Sequence, residues 1–184
     1  MHIIIPIGAV LGGGSSDAAH TLRSMNTIFE LGLSNAELVE YASKLGSDCA
    51  FFIQDNPMLG SKRGEVLSKA LVDLTGKFLV IIKPDVFIST AEAYAGVSPE
   101  IPPQTIEKIL ENKLSDWKSL LKNDFEESIF KKNPQIKEIK EKLYSLGALY
   151  ASMSGSGSSV YGIFEEKIDI AGAFPEGQKW SGFL

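Results

Sequence analysis

The run Gly8-Ala9-Val10-Leu11-Gly12-Gly13-Gly14-Ser15-Ser16-Asp17 lies between a β-branched segment, Ile3-Ile4-Ile5, and a stretch whose apolar residues recur at helical spacing. Strand, glycine turn and helix in that order restrict what the chain can build. Glycines let backbone N–H groups approach a phosphate unobstructed, and a helix starting behind them adds unpaired donors and a favourable dipole. The run therefore reads as an anion cradle. It is not the usual P-loop, which places a lysine beside Ser or Thr; the first Lys or Arg after this loop is Arg23. Backbone donors and a magnesium ion near the Ser16 hydroxyl would supply the missing charge. The alternative is a flexible turn in which Ser15, Ser16 or Asp17 caps the helix.

The pattern behind the loop predicts a helix burying Ala18, Ala19, Leu22, Met25, Ile28 and Phe29. A second helix starts at Ser34, with Glu37 three residues on as in a capping box, places Leu38, Tyr41, Ala42 and Leu45 on one face, and stops at Gly46. Cys49 to Ile53 reads as a strand or buried extended segment, and Met58 to Glu65 as a loop or hairpin. Phe78 to Ile82 is a buried-strand signal closed by Lys83-Pro84. A further helix follows Asn133-Pro134 with Ile136, Ile139 and Leu143 inward, and ends at Gly147. Ala148 to Met153 and Val160 to Phe164 are strands joined across Ser154-Gly155-Ser156-Gly157-Ser158-Ser159. Strand, helix, helix, strand is the order of an α+β lobe, not of a doubly wound sheet.

That second glycine-serine run has a strand after it, which argues against a dinucleotide fingerprint. It makes either a tight connection or a turn that closes on a ligand. A third signal is Asp48, just past the end of the second helix. A carboxylate there gains nothing from the helix dipole and suits proton abstraction; the alternative is an Asx-type turn hydrogen-bonded to its own loop.

Composition narrows the rest. With 44% hydrophobic and 22% charged residues the chain is globular, and a net charge of −5 disfavours a nucleic-acid partner. One cysteine, Cys49, forms no internal disulfide, and no run marks a signal peptide or membrane span, so a cytoplasmic protein is expected.

Together, the three segments resemble the three signatures of the galactokinase, homoserine, mevalonate and phosphomevalonate (GHMP) kinase superfamily. Within it, the fuller strings Ile5 to Ala19, Leu45 to Phe52 and Met153 to Gly157 are similar to the diphosphocytidyl-methylerythritol kinases. Gly60 to Glu65, Pro84 to Tyr94 and Asn123-Asp124-Phe125-Glu126 stand where that family places them, and the likeness runs from about residue 3 to residue 165. It implies a two-lobed α+β fold, with the remainder of an N-terminal ATP-binding lobe over 1–75 and a ferredoxin-like C-terminal lobe over 76–184. It implies phosphoryl transfer from ATP, with Mg2+, to the 2-hydroxyl of 4-diphosphocytidyl-2-C-methyl-D-erythritol on the non-mevalonate route to isoprenoid precursors. Pro6, Gly8, Ala9, Val10, Leu11, Gly12, Gly13, Gly14, Ser15 and Ser16 would hold ATP, and Asp48 would be the base. Thr90, Tyr94, Gly155, Ser156 and Gly157 would meet the substrate, with the Tyr94 ring on the cytosine or in simple packing.

The chain departs from the family twice. Val10 stands where the motif has glycine, and a positive φ there is costly for a β-branched residue. The family also begins with a strand-rich segment carrying a catalytic lysine and an aromatic-histidine patch, which is absent here; His2 and His20 do not match it. Weak or no activity, an exposed sheet edge and self-association are expected from that absence. The competing expectations are another small-molecule kinase of the superfamily and a non-catalytic module that binds phosphate or dimerises.

Overall fold

The computed structural model describes residues 5, 9–62, 64, 66–98 and 102–184. Ile3 and Ile4 of the expected first strand, with Pro6 and Gly8 of the glycine loop, lie outside them; Ile5 stands at a bend. By compactness the chain divides between 72 and 73, a few residues ahead of the boundary read from sequence, and residues 9–11 group with the second unit.

The first unit is built on two helices. Helix α1 spans Gly13–Ile28 and α2 spans Asn35–Leu45. The capping box of α2 forms: Glu37 N–H donates to Ser34 Oγ at 3.3 Å, and Ser34 N–H to Glu37 Oε2 at 2.8 Å. Such a cap stabilises a helix by about 1 kcal/mol. Gly46 N–H closes the far end on Ala42 O. The core between the helices consists of Ala19, Leu38, Ala42, Cys49, Ala50 and Ile53, with Ala18, Leu22 and Phe52 packed against it. Alanines at three of those positions let the backbones approach closely, so the buried stripe is narrow. Met25, Ile28 and Phe29, expected to be buried with Ala19, are 44%, 71% and 63% exposed, and Tyr41 and Leu45 are exposed on α2.

Cys49 to Ile53 is not extended. The chain turns after α2 and forms a single 3-10 turn, Phe51–Ile53. A short apolar run carries no period long enough to separate a strand from a helical turn. Strands β1, Met58–Ser61, and β2, Val66–Lys69, then pair antiparallel, which realises the hairpin.

The second unit has a four-stranded antiparallel sheet of β3, Phe78–Lys83, β4, Tyr150–Met153, β5, Val160–Phe164, and β6, Gln178–Phe183, in the order β4-β5-β3-β6. Phe78, Val80 and Ile82 of β3 face the core and alternate with half-buried Leu79, Ile81 and Lys83. Between β3 and β4 run α3, Thr90–Ala95, α4, Ile106–Leu110, α5, Trp117–Leu120, α6, Glu126–Lys132, and α7, Pro134–Ser145. Pro134 occupies the first turn of α7, where its missing N–H costs nothing, and Ile136 and Leu143 pack into the sheet core with Ile129, Met153 and Phe164. Numbered within this unit the strand order is 4-1-3-2, that of a ferredoxin-like sheet, although the connection 165–177 carries no helix among the described residues. The architecture is α+β. Strand β6 had no counterpart in the sequence pattern: it is an edge strand with mostly exposed side chains, so burial did not impose an alternation on it.

Among the described residues, no helix is long and apolar enough to cross a membrane.

Candidate active site

Helix α1 begins inside the glycine run. Gly12 is its N-cap, at φ 68° and ψ 18°, and neither a capping side chain nor an acidic residue occupies the first turn. Ser15, Ser16 and Asp17 are therefore not caps, which corrects that alternative. The first bond of the ladder is Ser16 N–H to Gly12 O at 2.8 Å. Among the described residues no acceptor is assigned to the N–H groups of Gly13, Gly14 and Ser15, so three donors at the positive end of a 16-residue helix are unpaired.

The three glycines serve different ends. A Cβ on Gly12 would lie 2.5 Å from the Phe52 ring, and one on Gly13 would lie 2.9 Å from Ile5 Cβ. A Cβ on the exposed Gly14 would meet nothing within 4 Å among the described residues. Val10 adopts φ 52°, the costly conformation anticipated for a valine in place of glycine.

Asp48 lies in the turn after α2, exposed, on the wall of a cavity of about 270 Å³ shared with Gly12, Phe51, Phe52, Gly60, Gly64 and Leu67. Asp48 and Gly12 thus line one cleft of the first unit. Among the described residues no donor is assigned to the Asp48 carboxylate, so its own loop does not engage it as an Asx turn would. Gly64, at φ 100°, lies close beside the carboxylate: a Cβ there would stand 3.6 Å from Asp48 Oδ1.

The second glycine-serine run belongs to the second unit, and it grips residues 9 and 10. Ser154 Oγ donates to Val10 O at 2.7 Å, and the buried Ser159 Oγ donates to Ala9 O at 2.6 Å. Ser158 Oγ donates to Val86 O at 2.6 Å. Gly155, at φ 50°, is required by this closeness, since a Cβ there would lie 2.8 Å from Val10 Cγ1. The run is therefore more than a tight connection.

Two residues quoted from the sequence only as part of a matching string hold this run in place. Asn123 Nδ2 donates to Met153 O and to Gly155 O, each at 2.8 Å, while Asn123 Oδ1 accepts from Phe125 N–H at 3.0 Å. Glu126 Oε1 accepts from Met153 N–H at 2.9 Å, and its Oε2 is paired with Lys140 Nζ at 2.5 Å. No periodicity marks such residues, because their partners are backbone atoms about thirty positions away.

Thr90 is the exposed first residue of α3, behind the capping Ser89, whose Oγ accepts from Glu92 N–H at 3.1 Å. Tyr94 packs edge-to-face with Phe125, with ring centroids 5.0 Å apart, and leaves 64% of its surface exposed. Asp48 and Gly12–Ser16 belong to the first unit; Ala9, Val10, Leu11, Thr90, Tyr94, Gly155, Ser156 and Gly157 belong to the second.

The donor set also bears on a metal ion. Among the described residues no three His, Cys, Asp or Glu side chains gather as ligands. The half-buried Ser16 hydroxyl lies 3.4 Å from His20 Nδ1. One hydroxyl fits an ion such as Mg2+ that takes most of its oxygens from phosphates and water.

Comparison with known proteins bears on the whole. The GHMP kinase N-terminal domain family matches residues 2–56, and the GHMP kinase C-terminal family matches residues 105–176. A crystal structure of 4-(cytidine 5'-diphospho)-2C-methyl-D-erythritol kinase superposes with a TM-score of 0.82 at 30% identity, covering 97% of this chain and 67% of that one. The chain belongs to the GHMP kinase family. Among curated GHMP kinases, the 4-diphosphocytidyl-2-C-methyl-D-erythritol kinase of Bacteroides thetaiotaomicron is 50% identical over 172 residues, covering 94% of this chain and 61% of the relative. That of Bacteroides fragilis is 49% identical over 175 residues, covering 92% and 64%. This GHMP kinase chain thus spans somewhat less than two thirds of the length of those relatives. Homoserine kinase from Cytophaga hutchinsonii shares the fold, with a TM-score of 0.66 at 18% identity over 89% of this chain and 59% of that one.

Proposed function

We propose that this chain carries the phosphate-binding loop and acceptor-binding lobe of a kinase that transfers the γ-phosphoryl group of ATP to the 2-hydroxyl of 4-diphosphocytidyl-2-C-methyl-D-erythritol, a step toward isoprenoid precursors. The observation that carries the reading is the uncapped start of α1: three N–H donors that find no acceptor among the described residues, behind an exposed Gly14. A polyphosphate supplies the acceptors those donors lack. In this reading Asp48 takes the hydroxyl proton as the acceptor oxygen bonds to the γ-phosphorus and the bond to the β-phosphate oxygen breaks, releasing ADP. A magnesium ion beside Ser16 would neutralise phosphate charge. Tyr94, with a free face, would stack on the cytosine, while Thr90 and the Gly155 to Gly157 turn would line the acceptor pocket. The acceptor itself is argued from the names of the curated relatives.

The test is ADP release with magnesium-ATP and the diphosphocytidyl substrate, measured for this chain, for Asp48→Asn, and for a protein extended to the length of the relatives. Turnover in the unaltered or extended protein that falls at least a hundredfold in Asp48→Asn is the expected result. Undiminished turnover in Asp48→Asn removes the proposed base, and silence with this acceptor from every unaltered form removes the proposed substrate.

A further inference from the structure

Resting on that reading, we infer that Asn123 is a positioning residue that aims the Ser156 N–H at an oxygen of the bound ligand. The Asn123 amide is fixed at both ends. Its Nδ2 faces two carbonyls and its Oδ1 faces an N–H, so only one orientation of the amide satisfies the network. Of its two acceptors, Met153 O belongs to a peptide whose N–H, on Ser154, already donates to Ser159 O at 2.8 Å. Gly155 O belongs to the Gly155–Ser156 peptide. That peptide is planar and trans, so holding its carbonyl toward Asn123 turns the Ser156 N–H the opposite way.

Among the described residues no acceptor is assigned to that N–H, although Ser156 is only 7% exposed. A donor in so buried a residue calls for a partner, and one held rigid before the ligand arrives is the arrangement that stabilises developing negative charge. Ser154 sits between the two gripped carbonyls and donates to Val10 O, so the same asparagine steadies the contact to the phosphate loop. The ligand atom is an anionic or carbonyl oxygen, on the transferred phosphoryl group or on the acceptor.

The experiment follows the assigned Ser156 amide by NMR in the unaltered chain, in Asn123→Asp and in Asn123→Ala. The probes are the magnesium complex of a non-hydrolysable ATP analogue and 4-diphosphocytidyl-2-C-methyl-D-erythritol, and kcat and KM are measured for the same proteins. Asn123→Asp keeps the acceptor for Phe125 N–H but sets a carboxylate oxygen against two carbonyls. The expected result is a downfield shift of Ser156 on ligand addition in the unaltered chain alone, with a roughly hundredfold loss in kcat and little change in KM. No shift in the unaltered chain, an equal shift in a folded variant, or a folded Asn123→Ala with kcat within threefold of the unaltered chain overturns the inference. Absence of turnover both in the unaltered chain and in a protein extended to the length of the relatives counts against the proposed reaction instead, and the amide shift then decides the inference by itself.

Discussion

Gly14→Ala separates the proposed phosphate cradle from the fold, because Gly14 is the one of the three glycines whose added Cβ would touch nothing among the described residues. At Gly12 a methyl group would collide with Phe52 and at Gly13 with Ile5, so loss of binding there would be confounded with misfolding. At Gly14 the methyl meets nothing within 4 Å among the described residues, and the residue lies in a helix at negative φ. An alanine there lowers the entropy of the unfolded chain and raises stability by about 0.4–1 kcal/mol. For a chain of this size that is an upward shift in Tm of roughly 1–4 °C. In the proposed function the same methyl would occupy the space through which a phosphate oxygen reaches the N–H groups of Gly13 to Ser15. Losing one charge-assisted hydrogen bond costs about 1.5–3 kcal/mol, or roughly a tenfold to hundredfold rise in Kd for magnesium-ADP. Calorimetric titration beside a thermal melt measures both. Unchanged nucleotide affinity in a folded Gly14→Ala protein would refute the cradle; a lowered Tm would refute the open space above Gly14.

Val10→Gly is expected to stabilise the protein by about 1 kcal/mol, since it removes a strain of roughly 1–3 kcal/mol at φ 52° and adds about 0.5–1 kcal/mol of glycine entropy. Urea unfolding checks it, and a loss of stability would mean that the Val10 contact with Gly155 outweighs the strain. Burial pushes the hydroxyls of Tyr150 and Tyr161 above their ordinary value near 10, with the large shift at Tyr150. Because these groups ionise more readily unfolded than folded, their contribution to stability is complete below pH 10 and declines as pH rises above it. Denaturant midpoints taken from pH 8 upward should therefore start to fall near pH 10, and less steeply in Tyr150→Phe; a flat profile would contradict the burial of these rings.

The sequence revealed those parts of the molecule in which one local rule decides the outcome. The capping box at Ser34 and Glu37, the β3 run and the Pro134 start of α7 each depend on near neighbours, and each formed where the pattern placed it. The strain at Val10 was legible for the same reason: one side chain against one dihedral. What the sequence hid were outcomes set at a distance. Whether Ser15, Ser16 or Asp17 caps α1 depends on where the helix begins, and Phe52 against Gly12 and Ile5 against Gly13 crowd that start from elsewhere in the chain. The exposure of Ile28 and Phe29 follows from a core narrowed by alanines, which helical periodicity does not report. Asn123 was visible only as part of a matching string, and its task appears once the carbonyls of Met153 and Gly155 are in space.

Residues 9–11 travel with the second unit although most of that unit is encoded more than sixty positions later. A contiguous gene segment for residues 73–184 would consequently yield an incomplete object. Its Ser159 hydroxyl, buried and deprived of Ala9 O, would be orphaned at a penalty of about 1–3 kcal/mol, and Ser154 would lose Val10 O as well. The natural module is discontinuous, so recombination between relatives at a single crossover near residue 72 would draw residues 9–11 and their serine clasp from different parents. Because both acceptors are main-chain carbonyls, chimeras of this family should keep the clasp wherever the parent of the Ser154–Ser159 turn supplies the two serines, whatever side chains stand at positions 9 and 10.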